Sequence, residues 1–173
     1  MNLEGALAIF MAMSAPSQFD LTPPTDAERQ RLESGLDDEE RRVLLNHGTE
    51  APFCGGLLAE KRPGLYACRL CGLPLFRAQA KFESGTGWPS FTAPYRPENV
   101  LGVRDSSYGM VRVETRCARC DSHQGHVFPD GPPPSGTRYC INSVSLAFVG
   151  DDEPLPDPLG RGDEIVRRST DQA

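Results

Sequence analysis

Six cysteines divide as four plus two, and this division constrains the fold more than any other feature of the chain. Cys68-x-x-Cys71 and Cys117-x-x-Cys120 are matched pairs with 45 residues between them, while Cys54 and Cys140 stand alone. Two such turns brought together supply four thiolates in a tetrahedron, the ligand set of a structural Zn²⁺ with no open coordination position. A staple of this kind pins two strand hairpins in a domain with few other long-range ties. The competing reading is a redox dithiol of thioredoxin type. Such a pair ordinarily occurs once and opens a helix, whereas here there are two, both among strand and turn residues. Zinc-type spacing also points to a reducing compartment rather than a disulfide framework, so a cytoplasmic location is expected.

A chain of 173 residues with 38% hydrophobic content suits one domain with a real core and ragged ends. Its 17 Gly and 16 Pro favour turns and short strands over long helices. A net charge of -6 leaves no basic stripe, so nucleic acid is not an expected partner. No apolar run reaches the length of a membrane span, and no membrane association is expected. Residues 6 to 13 are apolar, but Glu4 precedes them and the first basic residue is Arg29, unlike a signal peptide. They are read as a loose extension, with Met11 and Met13 as alternative starts.

Thr25-Asp-Ala-Glu28 is a capping box and predicts a helix to Ser34, stopped by Gly35. Asp37 to Glu40 repeats the signal and predicts a second helix to Asn46, with Gly48 just past its end. From Gly48 onward short strand-like runs alternate with turns: 65–67, 75–76, 110–115 and 139–149. The expected organisation is a disordered extension over 1–24, a folded domain over 25–150, and an acidic, Pro-rich, flexible tail over 151–173.

Arg138 to Phe148 reads as one strand, with Arg138, Cys140, Asn142, Val144, Leu146 and Phe148 on one face. A thiol two residues from a cation is expected to have a depressed pKa, which suits nucleophilic attack by Cys140. An inert buried cysteine is the alternative. His123 and His126 are acid/base candidates; a second metal site or surface histidines are the other readings. The turn Phe128-Pro129-Asp130-Gly131 would aim their loop back toward the sheet. The only tryptophan, Trp88, lies in Gly85-Thr-Gly-Trp-Pro-Ser-Phe91. It either anchors that loop in the core or packs against an apolar group of a substrate.

Taken together, the stretches 47–53 (HGTEAPF), 81–91 (KFESGTGWPSF), 121–132 (DSHQGHVFPDGP) and 138–148 (RYCINSVSLAF) resemble the B-type methionine sulfoxide reductases. Both Cys-x-x-Cys pairs match the zinc-bearing members, and the resemblance runs in order over about residues 37 to 149. It implies a mainly β fold of two antiparallel sheets stapled by zinc, with short helices on the N-terminal side. It implies reduction of methionine-R-sulfoxide, free or peptide-bound, with Cys140 as nucleophile and His123 and His126 binding and protonating the sulfoxide oxygen. Trp88 would pack against the S-methyl group, and Asp130, Arg138 and Asn142 would complete the polar shell.

The chemistry asks for an acid, because oxygen leaves sulfur only when protonated. Cys140 would become a sulfenic acid, condense with a second thiol, and be recycled by thioredoxin, repairing proteins under oxidative stress. A monomer is expected. Many members carry the resolving cysteine where this chain has Thr86. Cys54 is the remaining thiol outside the zinc set and is taken as the substitute; an inert Cys54 is the alternative. A zinc-stapled β binding module without turnover is the rival function, disfavoured by the presence of Cys140, His123, His126 and Trp88 together.

Overall fold

The computed structural model describes residues 18–163. The apolar stretch 6–13 and the far end of the tail lie outside them. Helix α1 spans Asp26–Ser34 and α2 spans Asp38–Leu44. Thr25 and Asp37 cap them with reciprocal capping boxes, each side chain accepting an N3 amide while the N3 glutamate returns to the cap. Helix α2 stops short of the expected Asn46. The chain turns at His47, whose φ is 55°, a left-handed conformation that ends a helix.

Nine strands follow among the described residues: β1 Gly64–Cys68, β2 Pro74–Arg77, β3 Lys81–Phe82, β4 Ser90–Phe91, β5 Val100–Asp105, β6 Arg112–Cys117, β7 His123–Phe128, β8 Arg138–Ile141 and β9 Leu146–Gly150. They form two antiparallel sheets, one ordered β2-β1-β9 and the other β3-β4-β8-β7-β6-β5. Aromatic rings join the two layers. Phe76 stacks on Phe91 with centroids 4.4 Å apart, and Tyr66 meets Phe91 edge-on at 5.0 Å. Phe76, Phe91 and Tyr66 are fully buried, so truncating Phe91 to alanine would cost about 3–5 kcal/mol.

The single strand expected over 138–148 is in fact two. β8 lies in the large sheet and β9 in the small one, and a 3₁₀ turn at Ser143–Ser145 separates them. The break has a specific cause. The buried carboxylate of Glu50 accepts the Ser143 N–H at 2.5 Å and the Val144 N–H at 3.2 Å, removing those amides from any ladder. The proposed common face of Arg138 through Phe148 therefore does not exist.

The histidine segment is likewise a strand rather than a loop. It is an irregular one: Thr115 faces Gly125 but Arg116 faces His123, leaving Gln124 as an extra residue. This is a β-bulge. In a regular strand, residues three apart point to opposite faces. The bulge places the rings of His123 and His126 together, with centroids 5.5 Å apart.

Both flanks, expected to be loose, pack on the domain where they are described. Phe19 is buried in the core, and Leu155 and Leu159 pack against it. Arg119, between the last two paired cysteines, is buried and forms a 2.7 Å ion pair with Asp163. Its Nε donates to the Asp20 carbonyl. A buried guanidinium needs such partners, and these tie both flanks to one point. Composition did not show this, because the partner of Asp163 lies 44 residues upstream.

Candidate functional site

The four paired cysteines converge. Cys68 Sγ lies 3.6 Å from Cys120 Sγ and Cys71 Sγ lies 3.5 Å from Cys117 Sγ. A tetrahedron with Zn–S bonds of about 2.3 Å has sulfurs about 3.8 Å apart, so the four thiols have the dimensions of a zinc centre. The two turns are built alike. Gly72 N–H donates to Cys68 O and Asp121 N–H donates to Cys117 O, both at 2.9 Å. The residue after each pair is left-handed, Gly72 at φ 79° and Asp121 at φ 60°. At the first turn only glycine serves, because a Cβ there would lie 2.4 Å from the Pro156 carbonyl. Ser122 Oγ approaches Cys120 and Cys68 at 3.1 and 3.4 Å, and the Gln124 amide approaches Cys68 at 3.6 Å. Such donors suit thiolate charge.

The lone thiol of Cys140 stands elsewhere, on β8. Across the sheet the register runs Ser90–Cys140–His126–Glu114 through β4, β8, β7 and β6, which places these residues in one row on one face. Thr86 and Arg138 lie close enough to the Cys140 thiol to favour its thiolate. Arg138 is held in turn by a bidentate pair to Asp130 at 2.9 and 3.0 Å and lies over the Phe128 ring. The depressed thiol pKa expected from Arg138 is not found. Burial pushes the Cys140 thiol up, and Arg138 and Thr86 only partly offset it. Asp130, paired with the guanidinium, adds a smaller upward push.

Each histidine is backed by a carboxylate. His126 Nε2 lies 2.8 Å from Asp105 Oδ2. His123 Nδ1 and His47 Nδ1 both lie 2.6 Å from Glu114 Oε1. An ionised carboxylate only accepts, so it fixes which ring nitrogen carries the proton and leaves the other for chemistry. Burial draws the His123 pKa down against the pull of Glu114, which favours the neutral ring. Burial acts to raise the Glu114 carboxyl, but hydrogen bonds from Arg116, His47 and His123 outweigh it and hold the pKa at about 2. Asp105 is held far below the usual carboxylate range by Ser107 and His126.

Trp88 donates its Nε1–H to the Glu50 carbonyl at 3.1 Å. Asn142 is buried, its Oδ1 accepting the Glu50 N–H at 3.0 Å and its Nδ2 donating to the Gln124 carbonyl at 3.1 Å. Glu50 thus holds the tryptophan, the asparagine and the turn after the thiol strand. Cys54 is exposed. Its neighbour Phe53 donates its N–H to Gly87 O at 2.8 Å, which ties this segment to the loop that carries Thr86.

Glu50, Glu114 and Asp105 were not singled out in the sequence. The only signal was Glu50's place in HGTEAPF; the other two are ordinary surface-strand carboxylates until the register is known. Glu114→Gln is expected to leave the fold intact and to slow reactions that need a proton from His123 by about tenfold. The pH profile of turnover should also move, which a purely structural role would not produce.

A strand-borne thiol, two carboxylate-backed histidines and a separate four-thiol centre with the dimensions of a zinc staple define a β protein suited to thiol chemistry. The family model described as the SelR domain matches residues 36–150, and the chain belongs to that family. It is 76% identical over 148 residues to a protein of Caulobacter vibrioides (strain NA1000 / CB15N) named peptide methionine sulfoxide reductase MsrB, covering 86% of this chain and 93% of that protein. The protein of that name from Xylella fastidiosa (strain M23) is 58% identical over 151 residues, covering 87% and 97%. Its namesake from Escherichia coli (strain K12 / DH10B) is 52% identical over 120 residues, covering 69% and 88%.

Proposed function

We propose that the chain is a peptide-methionine (R)-S-oxide reductase, acting on methionine-R-sulfoxide in oxidised proteins and peptides. The observation that carries this reading is the row Cys140–His126 on adjacent strands, with Thr86 and Arg138 at the sulfur. The Cys140 thiolate attacks the sulfoxide sulfur while a histidine protonates the oxygen. The sulfoxide's S–O bond breaks and the oxygen ends on the Cys140 sulfur as that sulfur's transient bond to the substrate breaks; the sulfide leaves with the bonding electron pair, so Cys140 is oxidised to a sulfenic acid as the sulfoxide is reduced. Trp88 packs against the methyl group, and Asp130 and Asn142 hold Arg138 and the thiol strand in place. The zinc centre of Cys68, Cys71, Cys117 and Cys120, when filled, supplies rigidity rather than chemistry. The setting is a reducing cytoplasm, and the role is protein repair under oxidative stress by a monomer. Incubating the reduced protein with separated R and S epimers of a methionine sulfoxide peptide tests the reading; reduction of neither epimer overturns it.

Cys54 resolves the sulfenic acid in this reading. Thr86 touches the Cys140 sulfur but carries no thiol. The Phe53–Gly87 backbone bond brings the Cys54 segment to the same loop. Condensation of the two releases water and leaves a Cys54–Cys140 disulfide, which thioredoxin's dithiol reduces. The two Cα atoms must come within about 7 Å for this. Cys54→Ser is expected to keep the first turnover and to lose most recycling by thioredoxin, while dithiothreitol still supports turnover. Mass spectrometry of the parent after one turnover should show the disulfide. A variant that recycles normally with thioredoxin makes Cys54 a bystander.

A further inference from the structure

A cavity of about 640 Å³ opens beside the histidine pair, lined by His123 and His126 but not by Cys140 or Trp88. Its lining is rich in cations. Four guanidinium groups, of Arg42, Arg104, Arg112 and Arg116, line it beside two carboxylates, Asp105 and Glu114; Arg42 is also paired with Glu39 at 2.6 Å and Arg116 with Asp121 at 3.3 Å, and Arg104 has no ion pair among the described residues. Both carboxylates are already engaged. Asp105 takes Arg112 at 2.9 Å and His126 at 2.8 Å, and Glu114 takes Arg116 at 2.8 Å and two histidines. Two cationic donors remain unused: the Nε atoms of Arg112 and Arg116 are buried and have no hydrogen-bond partner among the described residues. Arg104 is exposed at the rim. Buried cationic N–H groups without acceptors are costly, and an oxyanion is the group that satisfies them.

Register gives the reach. Glu114 faces His126, and His126 faces Cys140, so the near wall of the cavity is one strand spacing, ~5 Å, from the thiol's position and the Glu114 wall two, ~10 Å. A substrate whose sulfur sits at Cys140 and which carries an anionic group nearby would place that group here.

We infer that the arginine-lined cavity is a carboxylate subsite that favours sulfoxide substrates bearing a negative charge next to the oxidised methionine. The carboxylate is either the residue's own α-carboxylate or the side chain of an adjacent Asp or Glu. This rests on the proposed reductase reading. The two fail separately, because turnover of a neutral substrate tests that reading and the anionic-to-neutral ratio tests this one.

The experiment compares kcat/KM at low ionic strength for four substrates in two pairs. N-acetyl-methionine-R-sulfoxide carries the α-carboxylate, its methylamide is neutral, and an amidated peptide carries Glu after the sulfoxide, with Gln in its control. The expected result is an advantage of about tenfold for one or both anionic substrates, the size of one charge-assisted hydrogen bond. The advantage should shrink with added salt. It should fall in Arg104→Ala, reverse in Arg104→Glu and largely return in Arg104→Lys. Which anionic substrate gains identifies the source of the carboxylate. Binding is read without turnover by titrating the protein with N-acetylmethionine and with its methylamide, following the histidine ring resonances. Equal kcat/KM for anionic and neutral substrates, or a preference untouched by Arg104→Glu, overturns the inference. So does equal binding of the anionic and neutral members of both pairs, the two titrants and the Glu and Gln peptides in their sulfide form.

Discussion

Replacing Cys140 with serine is expected to abolish reduction even in a single turnover, a loss on the order of 10⁵-fold or more. A serine oxygen cannot take up the sulfoxide's oxygen as a thiol sulfur does, because only the sulfur can be oxidised to a sulfenic acid. Replacing His126 with asparagine should cost less, about 10²- to 10⁴-fold, the range for losing a general acid. Single-turnover sulfide release measures both. Because burial raises the Cys140 thiol pKa, the free enzyme holds it mostly protonated at neutral pH. Its alkylation rate should therefore climb with pH through the neutral range rather than level off below it. A Cys140→Ser protein that still reduces one equivalent of sulfoxide would remove Cys140 from the mechanism.

Loss of one zinc ligand is the second large effect. In Cys71→Ser, metal content and stability should fall together, by at least about 5 kcal/mol and roughly 10–20 °C in midpoint. Cys71 is fully buried among the other three thiols, so its loss also strands the remaining sulfurs without a common partner. The same collapse is expected on chelation. Calorimetry beside elemental analysis checks this, and a metal-free parent protein of full stability would refute it.

Local features were legible in the sequence and distant ones were not. The capping boxes at Thr25 and Asp37 involve residues three apart, so the chain states them outright. The four-cysteine centre was legible because spacing within each pair encodes the turn, and the two-sheet, helix-flanked fold followed from it and from the resemblance. The break after Ile141 was hidden, because the Glu50 carboxylate that causes it lies 93 residues from Ser143. Asp105 and Glu114 were hidden too, since only strand register brings them to the histidines. The thiol's electrostatics were misjudged for a related reason: sequence shows Arg138 two positions away, but not the burial that outweighs it.

The extra residue in β7 also links two centres that the chemistry keeps apart. Gln124, squeezed out of the ladder, turns its amide toward the sulfur of Cys68 and the hydroxyl of Ser122. Its neighbour His123 is swung onto the thiol's side of the sheet by the same distortion. The four-cysteine knuckle therefore acts as a setscrew for the His123 ring: it holds the kink that aims it. Metal bound there would lie away from the thiol yet fix the geometry of the histidine pair, so its loss is expected to misaim His123 as the domain loses stability.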